Sequence, residues 1–119
     1  MKPELRRIHS PDLLDLGNDV PSDTKNFCIL IQALVGPAGL PGEESFDFLV
    51  CSPSFIAETV SKDGFLIPRH YIILDQYNYA KIMEIIKGLC SLIYGDKWAD
   101  VAEKLGRYGH WEFEDYHRF

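Results

Sequence analysis

Long apolar runs are missing from this 119-residue chain, and no window approaches the roughly 18 consecutive apolar residues that a membrane-spanning helix needs. The opening Met1-Lys2-Pro3-Glu4-Leu5-Arg6-Arg7 holds no apolar segment of signal-peptide length, so the chain is expected to be cytoplasmic and to make no membrane contact. Cysteine is scarce. Cys28, Cys51 and Cys90 are odd in number, widely spaced and set in apolar runs where a buried free thiol is ordinary, so disulfides are not expected. Basic residues are scarce in the N-terminal third: between Asp12 and Asp47, Lys25 stands alone against seven acids, and this stretch accounts for the whole formal charge of −6. Nucleic-acid affinity rests on neutralising phosphates with clustered Lys and Arg, so direct DNA or RNA binding is not expected. Internal repeats, low-complexity tracts and composition breaks are absent, which fits one domain of ordinary size over residues 1–119.

The residues present make a folded protein: 46% hydrophobic, 13% aromatic and 25% charged is a globular composition. Leu5 to His9 reads as a short strand ended by Ser10-Pro11, followed by an acidic loop from Asp12 to Thr24. Phe27 to Val35 is a β-rich apolar run that Gly36 to Gly42 interrupts, and Ser45 to Cys51 then alternates Phe46, Phe48 and Val50 against Asp47, Leu49 and Cys51, giving a hairpin. Ser52-Pro53 is an N-cap followed by a first-turn proline and predicts a helix over Pro53 to Ser61, stopped by Lys62-Asp63-Gly64. Arg69 to Leu74 reads as a strand. From about Asn78 to Tyr94 the stripe Ile82, Ile85, Ile86, Leu89 and Ile93 predicts a helix with a buried face. Gly95 stops it, Asp96 is read as the next N-cap, and Trp98, Val101, Ala102 and Leu105 face inward in a last helix. His110 to Tyr116 alternates aromatic and charged residues, as a half-buried strand or an extended tail on the sheet would. The order β, β, β, α, β, α, α, β predicts an α+β fold: a mostly antiparallel sheet of about four to five strands packed against two or three helices.

Catalytic constellations are thin. The Gly36 to Gly42 loop lacks the Gly-Lys-Ser/Thr ending of a phosphate-binding loop and is read as a turn. Cys51 with His70 offers a nucleophile and a base for a small hydrolase, but both lie in apolar strand sequence with no third orienting group. His110, Glu112, Glu114 and His117 are metal-binding residue types without the tight His-Glu-x-x-His spacing, and they read instead as a solvated acidic face opposite Trp111, Phe113 and Tyr116. Glu43 with Glu44 reads as loop surface rather than as a glycosidase pair. No cofactor is expected. Tyr77, Tyr79, Tyr94, Arg107, Tyr108, His110, Trp111, Tyr116 and Phe119 are residue types that anchor protein interfaces, although Trp98, Trp111 and Phe113 are assigned to packing first.

Several blocks resemble one family. They are Leu5-Arg6-Arg7-Ile8-His9-Ser10-Pro11-Asp12, Gly42-Glu43-Glu44-Ser45-Phe46-Asp47-Phe48-Leu49-Val50-Cys51-Ser52-Pro53, Arg69-His70-Tyr71, Trp98 with Val101-Ala102-Glu103-Lys104-Leu105, and Trp111-Glu112-Phe113-Glu114-Asp115-Tyr116. The chain thereby resembles the immunity protein 8 family of bacterial polymorphic-toxin and contact-dependent inhibition systems, most specifically in the last two blocks. The resemblance implies a protein that binds and neutralises a cognate toxin domain, and it carries no catalytic motif; a monomer or weak homodimer without catalytic activity is expected. Local charge adds an expectation about that partner: an acidic face suits a basic protein, and a nuclease-type toxin must itself attract phosphate. The expected contact residues are Asp12, Asp15, Asp19, Glu43, Glu44, Asp47, Glu112, Glu114 and Asp115; a merely solubilising acidic surface is the plainer reading of the same charge.

Overall fold

Alternating side chains organise the centre of the molecule. In the computed structural model, which describes residues 1–116, strand β2 (Cys28–Pro37) pairs antiparallel with β3 (Glu44–Cys51) through eight successive partners, from Cys28 opposite Cys51 to Val35 opposite Glu44. Ile29, Ile31, Ala33, Val35, Phe46, Phe48 and Val50 all fall on one face and are buried in the main core. Near the end of β2 the chain demands glycine, since a Cβ on Gly36 would sit 1.9 Å from the Gly42 carbonyl oxygen.

β1 (Pro3–His9) extends the sheet antiparallel to β2, and its register shifts between Leu5 and Arg7, a bulge that lets Leu5 and Ile8 both pack on the core. The opposite edge of β3 carries two short strands end to end: β4 (Tyr71–Ile73) runs parallel along Leu49 to Cys51, and β5 (His110–Trp111) runs antiparallel along Phe46 and Asp47. Helices α1 (Pro53–Asp63), α2 (Tyr79–Leu92) and α3 (Trp98–Leu105) complete the expected element order, and the protein is α+β with a mostly antiparallel five-stranded sheet. Ile82, Ile86 and Cys90 of α2 and Val101, Ala102 and Leu105 of α3 enter the core beneath the sheet. No helix of the described residues is long and apolar enough to cross a membrane.

The helix caps follow local chemistry. Ser52 caps α1 and Gly64, at φ 86°, ends it two residues later than expected; the Asn78 side chain accepts from the Lys81 N–H at the start of α2. The N-cap of α3 is Lys97 rather than Asp96, with the Asp100 carboxylate reaching back to accept from the Lys97 N–H.

Two strand expectations are corrected. Arg69 and His70 do not extend β4: His70 turns into the left-handed region at φ 64°, where its carbonyl accepts from the Leu49 N–H and its Nε2 lies 2.8 Å from the Gly106 carbonyl. The tail is a strand only at His110 and Trp111. The Glu112 N–H still reaches the Ser45 carbonyl, but β3 then ends, and with no further ladder partner the chain folds into turns closed by Glu114 to Trp111 and Tyr116 to Phe113 backbone bonds. Edge-on contacts of Trp111 with Phe113 and of Phe113 with Tyr116 pack these turns.

Ser52 also latches the start of β2 to the end of β3. It is fully buried, its Oγ accepts from the Phe27 and Phe55 N–H groups, and its own N–H donates to the Phe27 carbonyl. Ser52→Ala strands the buried Phe27 donor and removes the cap, so a urea titration is expected to show a loss of about 1 to 3 kcal/mol.

Candidate functional site

The nine acids expected to form one contact surface fall into separate places. Asp12, Asp15 and Asp19 lie in the loop before β2, where the Asp12 carboxylate accepts from the Leu30 N–H. Glu43 and Glu44 stand where β3 begins, beside Val35. Leu30 and Val35 are five residues apart on one strand, so the two groups are separated by roughly 17 Å.

The acidic loop is held in a fixed shape. The Asp15 carbonyl accepts from the Asn18 and Asp19 N–H groups, the Asp19 carboxylate accepts from the Asp15 N–H, and the Asn18 amide donates to the Asp15 carboxylate. Leu16 is buried in the core, its carbonyl takes the Tyr77 hydroxyl, and the Tyr77 N–H closes the far side of the loop on the Thr24 carbonyl. Leu14 points the other way and is 98% exposed, and Val20 is 59% exposed. The loop therefore presents a bare leucine among carboxylates, a feature that composition could not reveal because Leu13, Leu14 and Leu16 look alike in sequence.

Glu44 is not loop surface. Its Oε1 accepts from the indole N–H of Trp98 at 2.5 Å and of Trp111 at 3.0 Å, tying α3 and β5 to the head of β3. Glu43 is exposed and pairs with Arg7. Glu112 folds back to accept from the Ser45 N–H, whereas Glu114 pairs with Arg69 and lies 3.6 Å from His110, so the tail carboxylates do not share a face. The Arg69 guanidinium holds the Glu114 carboxyl below its ordinary range. Asp115 is exposed at φ 60°.

At the seam between β4 and β5, Asp47 faces His110 across the ladder, and the His70 and His110 rings meet edge-on. The Asp47 Oδ1 is buried without a partner among the described residues. The cavity here, about 240 Å³, is lined by Leu30, Asp47, Phe48, Leu49, Arg69, His70 and His110 and contains no Ser, Thr or Cys nucleophile. Cys51 is elsewhere: it pairs with Ile73, three residues past His70, is fully buried, and lies 2.6 Å from the Cys28 sulfur. The structure thus does not assemble the Cys51 and His70 pair. Among the described residues no three His, Cys, Asp or Glu side chains converge on a point that could hold a metal, and His117 lies outside the described residues.

Glu44→Lys is expected to cost about 2 to 3 kcal/mol, since it leaves two indole donors without their acceptor, while Glu43→Lys changes stability by less than about 1 kcal/mol. Urea titrations followed by Trp fluorescence check both; equal effects would refute the division of roles. Glu114 contributes stability that is present above the ordinary carboxyl range and lost as pH falls through its lowered native value. Glu114→Gln is therefore expected to flatten the acid limb of a stability-against-pH curve.

No curated protein and no solved structure matches the chain. The family model described as Immunity protein 8 matches residues 3–116. That span carries every element described above, from Pro3 at the head of β1 to the aromatic turn at Tyr116, and the chain belongs to the immunity protein 8 family.

Proposed function

We propose that this protein neutralises a cognate toxin by binding it, with no bond-making step of its own, and that the acidic loop from Asp12 to Asp23 makes the leading contact. The observation that carries this reading is the exposed Leu14 side chain on a loop fixed by the core on one side and by its own hydrogen bonds on the other. A preformed loop gives up little conformational freedom on docking, and an apolar anchor ringed by charge combines affinity with steering. Four carboxylates and no base lie between Asp12 and Asp23, so the complementary patch is basic, as the phosphate-attracting cleft of a nuclease-type toxin is. Of the remaining acids, Glu43 and Asp115 are exposed but stand outside this loop, while Glu44 and Glu112 serve the fold first. Burial of Cys51 away from His70 supports a binding role over the alternative of a small hydrolase.

The test is binding to the toxin domain encoded beside this chain's reading frame. Leu14→Asp is expected to weaken binding about tenfold or more. Asp15→Asn with Asp19→Asn, which keeps hydrogen-bond acceptors in the loop, is expected to weaken binding at low salt and much less at high salt. Affinity that is unmoved by Leu14→Asp and indifferent to salt would rule the loop out as the contact.

A further inference from the structure

The strand register brings together two cysteines whose sequence positions give no reason to pair them. Cys28 opens β2 and Cys51 closes β3, and they are direct partners at one end of the ladder. Directly opposed residues of antiparallel strands have Cα atoms roughly 4.5 to 5.5 Å apart, within the range of about 4.4 to 6.8 Å that a disulfide spans. Their side chains also point the same way. Ile29 and Val50, one step along each strand, are buried in the main core, so Cys28 and Cys51 project from the opposite face, and the two sulfurs are 2.6 Å apart.

We infer that Cys28 and Cys51 form a dithiol site that peroxide oxidises to a cross-strand disulfide within one molecule. The inference is independent of the proposed docking loop. Cys28 is half-buried and Cys51 fully buried, so the oxidant enters at Cys28 and Cys51 is the resolving thiol. The Cys28 sulfur attacks hydrogen peroxide, the O–O bond breaks, and Cys28 becomes a sulfenic acid as one water leaves. The Cys51 sulfur then displaces the hydroxyl from Cys28, the S–S bond forms, and the displaced hydroxyl leaves as a second water with the remaining thiol proton. Two thiols are oxidised and one peroxide is reduced to two waters. Burial pushes both thiols up from their ordinary range, and Asp12 adds to the rise at Cys28, so the thiolate fraction is small and the site oxidises slowly. Cys90 takes no part, because it lies on α2 in the main core on the other face of the sheet.

The bond would act where the chain is already latched. Phe27 and Ser52, adjacent to the two cysteines, exchange backbone and side-chain hydrogen bonds; Ser54 donates to the Lys25 carbonyl and Asn26 to Glu58. Oxidation therefore fastens the start of β2 to the end of β3, next to α1, against unfolding from that end.

The test treats the folded chain with hydrogen peroxide, quenches, unfolds, and counts alkylatable thiols by intact mass and peptide mapping. From three thiols the count is expected to fall to one, with the remaining thiol at Cys90 and a Cys28–Cys51 linked peptide, at a rate independent of protein concentration. The oxidised chain is expected to melt about 5 °C or more above the reduced chain, and dithiothreitol is expected to reverse the shift. Cys28→Ala is expected to abolish the linked peptide and the shift. Retention of three thiols under prolonged peroxide, cross-linking between molecules, a bond to Cys90, or loss of two thiols in Cys28→Ala would each overturn the inference.

Discussion

The outer edge of β3 is completed by two short strands drawn from distant parts of the chain, and most of the local structure depends on that shared edge. An unpaired run of backbone groups beside a buried apolar face is costly, so the edge has to be closed. β4 closes the Leu49 to Cys51 half and β5 the Phe46 and Asp47 half. Their meeting point gathers Arg69, His70, His110 and Glu114 around Asp47. At its other end the arrangement brings Trp111 beside Trp98, which lets the one Glu44 carboxylate hold both indoles.

This construction divides the acids of an acidic protein into two kinds of work. Glu44 and Glu112 accept hydrogen bonds that join β3 to the C-terminal third, and Glu114 pairs with Arg69 just before β4. The carboxylates between Asp12 and Asp23 shape their own loop and leave a leucine bare in solvent. Net charge alone cannot separate these uses, because it counts carboxylates without their partners.

The acidic loop and the thiol pair share a base. Asp12 accepts from the Leu30 N–H two residues beyond Cys28, and Asp23 accepts from the Lys25 and Asn26 N–H groups just before it. The start of β2 gives this loop a rigid footing through main-chain, carboxylate and Ser52 bonds together.

The sequence by itself determined what depends on near neighbours. The order of strands and helices, the alternation of Phe46, Phe48 and Val50, the α2 stripe and the Ser52 cap are set by residues within a few positions of one another, and they stand in the structure as read. The family was legible too, in blocks such as Trp111-Glu112-Phe113-Glu114-Asp115-Tyr116. Tertiary structure alone decided the rest. The alternating tail became a turn because β3 had no edge left to pair with it, and His70 left the strand for a left-handed conformation that meets Leu49 and Gly106. Glu44 became an internal acceptor, and Cys28 met Cys51, through strand register and long-range packing. Those are properties of which distant segments meet, and no local pattern of residues encodes them.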